Sequence, residues 1–374
     1  MKKFIFIVVL LFAVNLYAAP KIDYSKSYQV TSTAAHEKYA VFGSFDGNIR
    51  VVAYDTSDIT LLENAHKKPV ISLSFSSDGK FMASASQDDE IVFWDMVNFV
   101  EIKRIKKHGQ GVRAVAVSPK GDMLYIAFPN SIYEYETNKW VNTAIFEGYD
   151  NGIYSIDINS KGDRLAAGSK LGDIYITDIN KQEIVKTIKA GRQLIISLDF
   201  AGDKNILSSG SYDRTVRVYN IDSGKTLNEF SLFSDTIRGV ALNNDGSKVL
   251  AGSDDGNILI YDLSSGAVKN QRIEGSGEIT ALSAPKSFKF VNYGRGLAYE
   301  EERCGIITYP AKKGIYRKLY SFIGSDIIIS ENGYMAGRGN MGEYISSYYR
   351  GNKESISEIM EKYFRKDKLR INLP

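Results

Sequence analysis

Along most of the chain apolar and polar residues alternate with a period of two, in short runs that stop at turns rich in Gly, Asp, Ser and Asn. "SYDRTVRVYNIDSGKTL", residues 211–227, is one such stretch. The alternation predicts a strand, an Asp-Ser-Gly-Lys turn and a further strand. Nearly the same phrase returns as "SDDGNILIYDLSSGAV" at 253–268 and as "SQDDEIVFWDMVNFVEI" at 86–102. The residues closing each such strand are Asp55, Asp95, Glu136, Asp178, Asn220 and Asp262, at intervals of 40, 41, 42, 42 and 42 residues. A phrase recurring at one spacing describes an architecture of stacked modules.

Upstream of each closing strand lies a Gly-bearing turn, at Asp78-Gly79, Lys120-Gly121, Lys161-Gly162, Ala201-Gly202 and Asp245-Gly246. Gly and Asp tolerate the backbone angles a short hairpin requires. Between turn and closing strand runs a strand of small residues, such as "FMASAS", "RLAAGS", "ILSSGS" or "VLAGS". Each unit is thus four short strands; residues 112–146 spell them as "VRAVAVS", "MLYIAF", "SIYEYE" and "WVNTAIF". No segment of 20–350 sustains a helical apolar period. One such sheet is apolar on both faces and cannot bury itself. Ordering about 40 residues costs on the order of 40–80 kcal/mol of backbone entropy, more than a lone small sheet recovers. Stacking neighbours into a closed ring covers every face and shelters the inner edges. The expected fold is all-β, a closed β-propeller of four-stranded blades.

The units resemble WD repeats. Trp94-Asp95 is the dipeptide that names that family, with Tyr54-Asp55, Tyr261-Asp262 and Tyr219-Asn220 as close relatives, while Ala65-His66 and Lys107-His108 echo its Gly-His lead-in. The family's turn Asp is matched by Asp46, Asp88, Asp213 and Asp255. The resemblance implies that His66, Ser84, Asp88 and Trp94 form a hydrogen-bonded tetrad tying turn to sheet. Other units depart: Leu171 replaces the Asp and "AGRQ" at 190–193 has no His, so packing alone is expected to hold those blades. The resemblance covers about 22–350. "GIITYP" at 305–310 and "EYISSYY" at 343–349 fall where further third strands are due, and "DIIISENGYMAGRG" at 326–339 supplies the start of a last unit. Eight blades are therefore expected, with seven as the alternative, and "KIDYSKS" at 21–27 as the strand that closes the ring beside "EYISSYY". Beyond the ring, Ile356, Ile359, Met360, Tyr363 and Phe364 fall on one helical face. A short C-terminal amphipathic helix with a basic tail is expected over 351–374, packed on the ring or docking a partner.

The chain's start changes the picture of where such a ring works. Lys2 and Lys3, an apolar run of 11 residues from Phe4 to Val14, and Ala18-Ala19 are laid out as a secretory signal peptide. The run falls short of the roughly 20 residues that span a bilayer. The expected organisation is a leader over 1–18, the propeller over 19–350 and the helix and tail over 351–374. That implies an exported bacterial member of the family, periplasmic or extracellular, with no transmembrane segment in the mature chain. Removing 1–18 lowers the formal charge from +3 to +1, and no long basic run crosses the body, so no nucleic-acid partner is expected. Cys304 stands alone, which excludes a disulfide within the chain.

Candidate chemistry is sparse. The histidines are His36, His66 and His108, two of them in the structural lead-in position. No H-E-x-x-H, G-x-S-x-G or P-loop pattern occurs, and "SDDGN" and "SFDGN" lack the spacing of a calcium loop. No catalytic residue, cofactor or metal is expected. "YEEER" at 299–303 extends a loop of the seventh unit. The resemblance places partner contacts at the mouth of the ring, at the residues after the first residue of strand one and before the turn Asp. Those are Thr31, Ile71, Arg113, Tyr154, Ile196, Arg238 and Thr280, and Phe45, Gln87, Lys170, Tyr212 and Asp254. The aromatic and Arg subset, Phe45, Arg113, Tyr154, Tyr212 and Arg238, has the chemistry of binding hot spots and suits a peptide or loop bearing an acidic residue. The expected function is a monomeric, non-enzymatic ring scaffolding protein partners. The alternatives are a propeller enzyme or a lectin holding a small molecule or glycan in the central channel, or a copy that has kept only its structure.

Overall fold

The computed structural model describes residues 30–53, 59–106, 109–255, 257–270 and 282–283, and the strand backbones Leu297–Glu301, Cys304–Ala311, Ile315–Phe322, Ser325–Ser330 and Met335–Gly339. The leader, "KIDYSKS", "EYISSYY", Tyr54-Asp55, Lys107-His108, Thr280 and the expected C-terminal helix lie outside them.

The period-two runs form strands that meander antiparallel, each next to the last, into four-stranded blades. From inner to outer strand, blade 1 is Val30–Ala35, Tyr39–Ser44, Ile49–Ala53 and Ile59–Leu62; blade 2 is Val70–Phe75, Phe81–Ser86, Glu90–Asp95 and Val100–Lys106. Blade 3 is Ala114–Val117, Met123–Ala127, Ile132–Glu136 and Val141–Phe146; blade 4 is Ile153–Ile158, Arg164–Ser169, Asp173–Asp178 and Glu183–Lys189. Blade 5 is Ile195–Phe200, Ile206–Ser211, Val216–Asn220 and Thr226–Phe230; blade 6 is Ile237–Leu242, Lys248–Ser253, Ile258–Asp262 and Val268–Asn270. Successive inner strands stand side by side around a common axis, and Leu282–Ser283 closes the circle between the inner strands of blade 6 and blade 1.

The blade count departs from expectation. Among the described residues there are six four-stranded blades rather than eight or seven, and the further described strands form one six-stranded sheet from Leu282–Ser283 to Met335–Gly339. Connection length explains why. Blade 4 and blade 5 are joined by residues 190–194, long enough to return the chain from the rim to the axis. Only residues 323–324 separate Ile315–Phe322 from Ser325–Ser330, so the second strand pairs with the first in register, Phe322 opposite Ser325, and widens the sheet. No helix occurs among the described residues, and none there is long and apolar enough to cross a membrane.

The cores lie between blades, as a sheet apolar on both faces demands. Val41, Ile49 and Val51 of blade 1 pack with Val70, Met82, Val92 and Trp94 of blade 2. The same arrangement recurs between blades 2 and 3, 3 and 4, 4 and 5, and 5 and 6. The small-residue second strands allow this closeness: a Cβ on Gly43 would stand 2.7 Å from the Val70 side chain, and one on Gly210 2.7 Å from Ile237. These second strands are buried along their length, whereas the outer strands face solvent with charges such as Lys103 and Lys106 that discourage edge pairing.

Candidate functional site

One end of the ring is built from the loops entering each inner strand and the turns between second and third strands. Main-chain bonds knit the two together: the His66 N–H donates to Gly47 O at 2.9 Å, Ile153 N–H to Pro129 O at 2.7 Å, and Ala190 N–H to Gly172 O at 2.9 Å. A cavity of about 870 Å³ runs along the axis between the inner strands. Near this end it is lined by Thr31, Ile71, Arg113, Tyr154, Ile196 and Arg238.

Two Arg–Tyr pairs occupy that mouth. The Arg113 guanidinium lies over the Tyr154 ring, 4.9 Å from its centroid, and Arg238 lies 5.3 Å from the Tyr212 ring centroid. The two arginines differ in their partners. Arg238 Nε donates to both Asp254 carboxylate oxygens at 2.8 and 2.9 Å, its Nη2 is 2.7 Å from Asp254 Oδ2, and Nη1 donates to the Tyr212 hydroxyl at 3.1 Å. Asp254 thereby raises the pKa of this guanidinium further. Arg113 forms no ion pair among the described residues, and its Nε is buried without a hydrogen-bond partner. Phe45 projects from its turn in blade 1, 53% exposed, and is not part of the cavity lining. The site residues therefore come together as two pairs with Phe45 apart.

In blade 2, His66, Ser84, Asp88 and Trp94 are in contact. The Ser84 hydroxyl sits 2.7 Å from His66 Nε2 and accepts the Trp94 Nε1–H at 2.9 Å. His66 Nδ1 is 3.5 Å from Asp88 Oδ1. Asp88 also accepts the main-chain N–H groups of Lys67 at 2.7 Å and Glu90 at 2.9 Å. Burial opposes its charge, but His66 and these two N–H groups outweigh it and hold the carboxyl well below the usual range. The arrangement locks the lead-in loop to the turn.

Blades without that set are not held by packing alone, contrary to expectation. In blade 4 the Tyr149 hydroxyl bonds Thr177 Oγ1 at 2.8 Å across the same region, and burial pushes this phenol up to about 12. In blade 5 Asp213 turns to Arg217, whose Nη1 donates at 2.7 Å.

Below the mouth the cavity wall carries serines and aspartates that are engaged between blades, while Thr33 Oγ1 and Ser283 Oγ are buried there without a hydrogen-bond partner. Each inner strand would leave main-chain N–H groups bare on the side facing its neighbour. Side chains of the preceding blade accept them: Ser72 and Ser74 from Val115 and Val117 at 3.1 and 3.0 Å, and Asp157 from Phe200 at 2.8 Å. Ser197 accepts from Val240 at 3.1 Å and Asp199 from Leu242 at 2.6 Å. Sequence reasoning passed over these residues. Their signal was available as polar residues recurring on alternate positions of "VISLSF", "IYSIDI" and "IISLDF". Leu171, seen in sequence only as a missing Asp, is 55% exposed on the mouth's rim. Among the described residues no group of three or more His, Cys, Asp or Glu is placed to hold a metal ion.

The model of the WD domain, G-beta repeat, matches residues 59–95 and 224–262, and that of the anaphase-promoting complex subunit 4 WD40 domain matches 157–238. The chain is 29% identical over 199 residues to WD repeat-containing protein SL1-17 of Schistosoma mansoni, covering 51% of this chain and 64% of that protein. It is 28% identical over 162 residues to COMPASS component SWD3 of Saccharomyces cerevisiae, covering 43% and 51%. The chain thus spans about half to two thirds of the length of these curated relatives. Among solved structures the β-propeller domain of Cps50 (Swd1) from Myceliophteria thermophila superposes with a TM-score of 0.63 at 18% identity, covering 74% of this chain and 95% of that one, a likeness of fold.

Proposed function

We propose that this chain, which belongs to the WD-repeat β-propeller family, is a non-enzymatic scaffold that holds a peptide or loop of a protein partner at the mouth of its ring. The observation that carries the reading is the gathering of Arg113–Tyr154 and Arg238–Tyr212 at one end of a frame stitched from blade to blade. Tyr and Arg supply large contact area and directed donors, and a rigid frame loses little entropy when it binds. The names of two relatives, COMPASS component SWD3 and target of rapamycin complex subunit LST8, both of Saccharomyces cerevisiae, describe subunits of complexes, which agrees with a protein partner.

The cavity's size falls in the range of small-molecule pockets, but Ser72, Ser74, Asp157, Ser197 and Asp199 on its wall are spent on main-chain N–H groups of the next blade. A ligand in the channel would have to compete with the bonds that hold the inner strands together. The mouth, where side chains project without such duties, is the better site. The leader-like residues 1–18 support work outside the cytoplasm, and fractionation with N-terminal sequencing of the mature chain tests that part separately.

The functional test places a photo-activated crosslinking residue at position 45 or 212 on the mouth, and at 161 or 203 on the opposite end, in the full chain in its native cell. Discrete protein adducts from the mouth positions alone are expected. Adducts from the opposite end alone contradict the reading.

A further inference from the structure

We infer that Arg113 is a receptor for a carboxylate, and that the partner segment presents an Asp or Glu flanked by apolar residues to blades 3 and 4. The inference rests on the mouth reading above and narrows it. Arg113 and Arg238 occupy the same position of their repeats, the second residue of "VRAVAV" and of "IRGVAL". Their surroundings differ: Tyr154 comes from the inner strand of the blade after Arg113, Tyr212 from the turn of the blade before Arg238, and only Arg238 has a carboxylate in its own blade. In blade 6 the residue after Ser253 is Asp254, whose carboxylate takes three contacts from Arg238. In blade 3 the residue after Phe128, at the same place in the turn, is Pro129, which offers no acceptor side chain.

Arg113 therefore has an aromatic partner, as Arg238 does, but no carboxylate among the described residues. Its guanidinium is oriented over Tyr154, and its Nε–H is buried with nothing to accept it. A buried donor without an acceptor is costly, and a charged one more so, so the half-buried Arg113 side chain gains from a carboxylate that enters the mouth, as a neutral side chain there would not. Arg238 is excluded from that role because Asp254 already occupies its Nε edge. The half-buried side chains on either side, Ile71 in blade 2 and Ile196 in blade 5, line the same cavity and supply apolar contact flanking the cation. A planar guanidinium pairs with a carboxylate through parallel N–H donors, a geometry that the side-chain amide of Asn matches poorly.

The test uses the full chain and synthetic peptides of the form acetyl-Gly-Ile-Z-Ile-Gly-amide, with Z as Asp, Asn, Ala or Lys. Binding is read by calorimetry and by the NMR resonance of the Arg113 Nε–H. The Asp peptide is expected to bind on the order of tenfold or more tighter than the Asn peptide, and to shift the Arg113 Nε–H resonance. Arg113→Gln should erase the difference between Asp and Asn, as should Pro129→Asp, which restores the internal carboxylate without removing the arginine. An Asp preference that survives both variants overturns the inference, as does a resonance that no peptide moves. Peptides that bind equally for Asp and Asn, yet weaken with Tyr212→Ala, refute the carboxylate receptor while leaving the mouth reading in place. Failure of the crosslinks from positions 45 and 212 refutes the mouth reading itself.

Discussion

Asp199 Oδ2 accepts the main-chain N–H of Leu242 at 2.6 Å, from a residue one repeat further along the chain. The bond crosses from blade 5 to blade 6, and Asp157 makes the same crossing to Phe200 from blade 4 to blade 5. Inner strands have no main-chain ladder on the side facing the axis, so the side chain of one blade closes the open edge of the next. Asp199→Asn keeps an acceptor and should leave stability nearly unchanged. Asp199→Ala leaves the fully buried Leu242 without a partner for its N–H and should cost about 1–3 kcal/mol in denaturant midpoints. Equal effects of the two substitutions would show that the bond does not contribute.

The Ser84 hydroxyl serves His66 and Trp94 at once. Ser84→Ala orphans two ring nitrogens in a buried site and should destabilise by about 2–4 kcal/mol. Chemical denaturation of the variant measures it, and a loss no larger than that of an exposed Ser→Ala control would count against the tetrad.

Stability should fall in acid. Asp88 is held well below the ordinary carboxylate value of 3.8, and Asp78 is brought to about 2: burial opposes its charge, but bonds from the Lys80 N–H and the Ser76 hydroxyl prevail. Both groups have a lower pKa folded than unfolded. Their contribution is complete above the unfolded value, and is lost as the pH drops below 3.8 towards 2, because the unfolded chain takes up the protons first. Melting curves from pH 6 to pH 2 should show this decline, and Asp88→Asn should flatten it. A variant whose curve parallels the wild type would remove Asp88 from the acid response.

The two mouth arginines should respond unequally to truncation. Arg238→Ala strands Asp254, whose side chain is 11% exposed, and should cost about 1–3 kcal/mol, between the values of exposed and buried pairs. Arg113→Ala breaks no ion pair among the described residues and should leave the melting temperature within a degree or so. Adding Asp254→Ala to Arg238→Ala should recover part of the loss. Calorimetric melting of the four proteins checks this, and equal losses for both arginines would contradict it.

Left-handed turn residues sort by what they touch. Trp140, at φ 57°, packs edge-on against Phe93 of the neighbouring blade at 5.2 Å, and Phe99, at φ 56°, against Tyr39 at 5.8 Å. Gln182 holds the same conformation at φ 59° while exposed, where blades 5 and 6 have Gly224 and Gly266. Gln182→Gly should therefore stabilise by about 0.5–1 kcal/mol through relief of strain, whereas Trp140→Gly should destabilise by about 2 kcal/mol or more through lost contact. A stabilising Trp140→Gly would mean that the inter-blade contact is worth less than the strain.

Much of this was legible from the residues. The recurrence at about 42 residues and the buried small-residue strands follow from local chemistry that repeats, and the members of the blade 2 tetrad from the resemblance to WD repeats. The six-stranded terminal sheet was not, because alternation identifies strands but not which blade they join; that is decided by the two residues between Phe322 and Ser325. The difference between Arg113 and Arg238 was equally hidden. Both match one motif position, but Asp254 closes the donor edge of Arg238, whereas the equivalent turn residue in the Arg113 blade is Pro129, which has no acceptor side chain. The bridging serines and aspartates look in sequence like ordinary polar residues of a half-buried strand, since the N–H they serve lies a whole repeat away.

Hydrogen exchange at individual amides of the full chain tests most directly whether the blades form the rigid frame on which the mouth depends. The N–H groups of Val115, Val117, Phe200, Val240 and Leu242 should be protected as strongly as those of the buried second strands. Exchange as fast as that of the solvent-facing outer strands would mean that the inner edges are open, and would contradict the account.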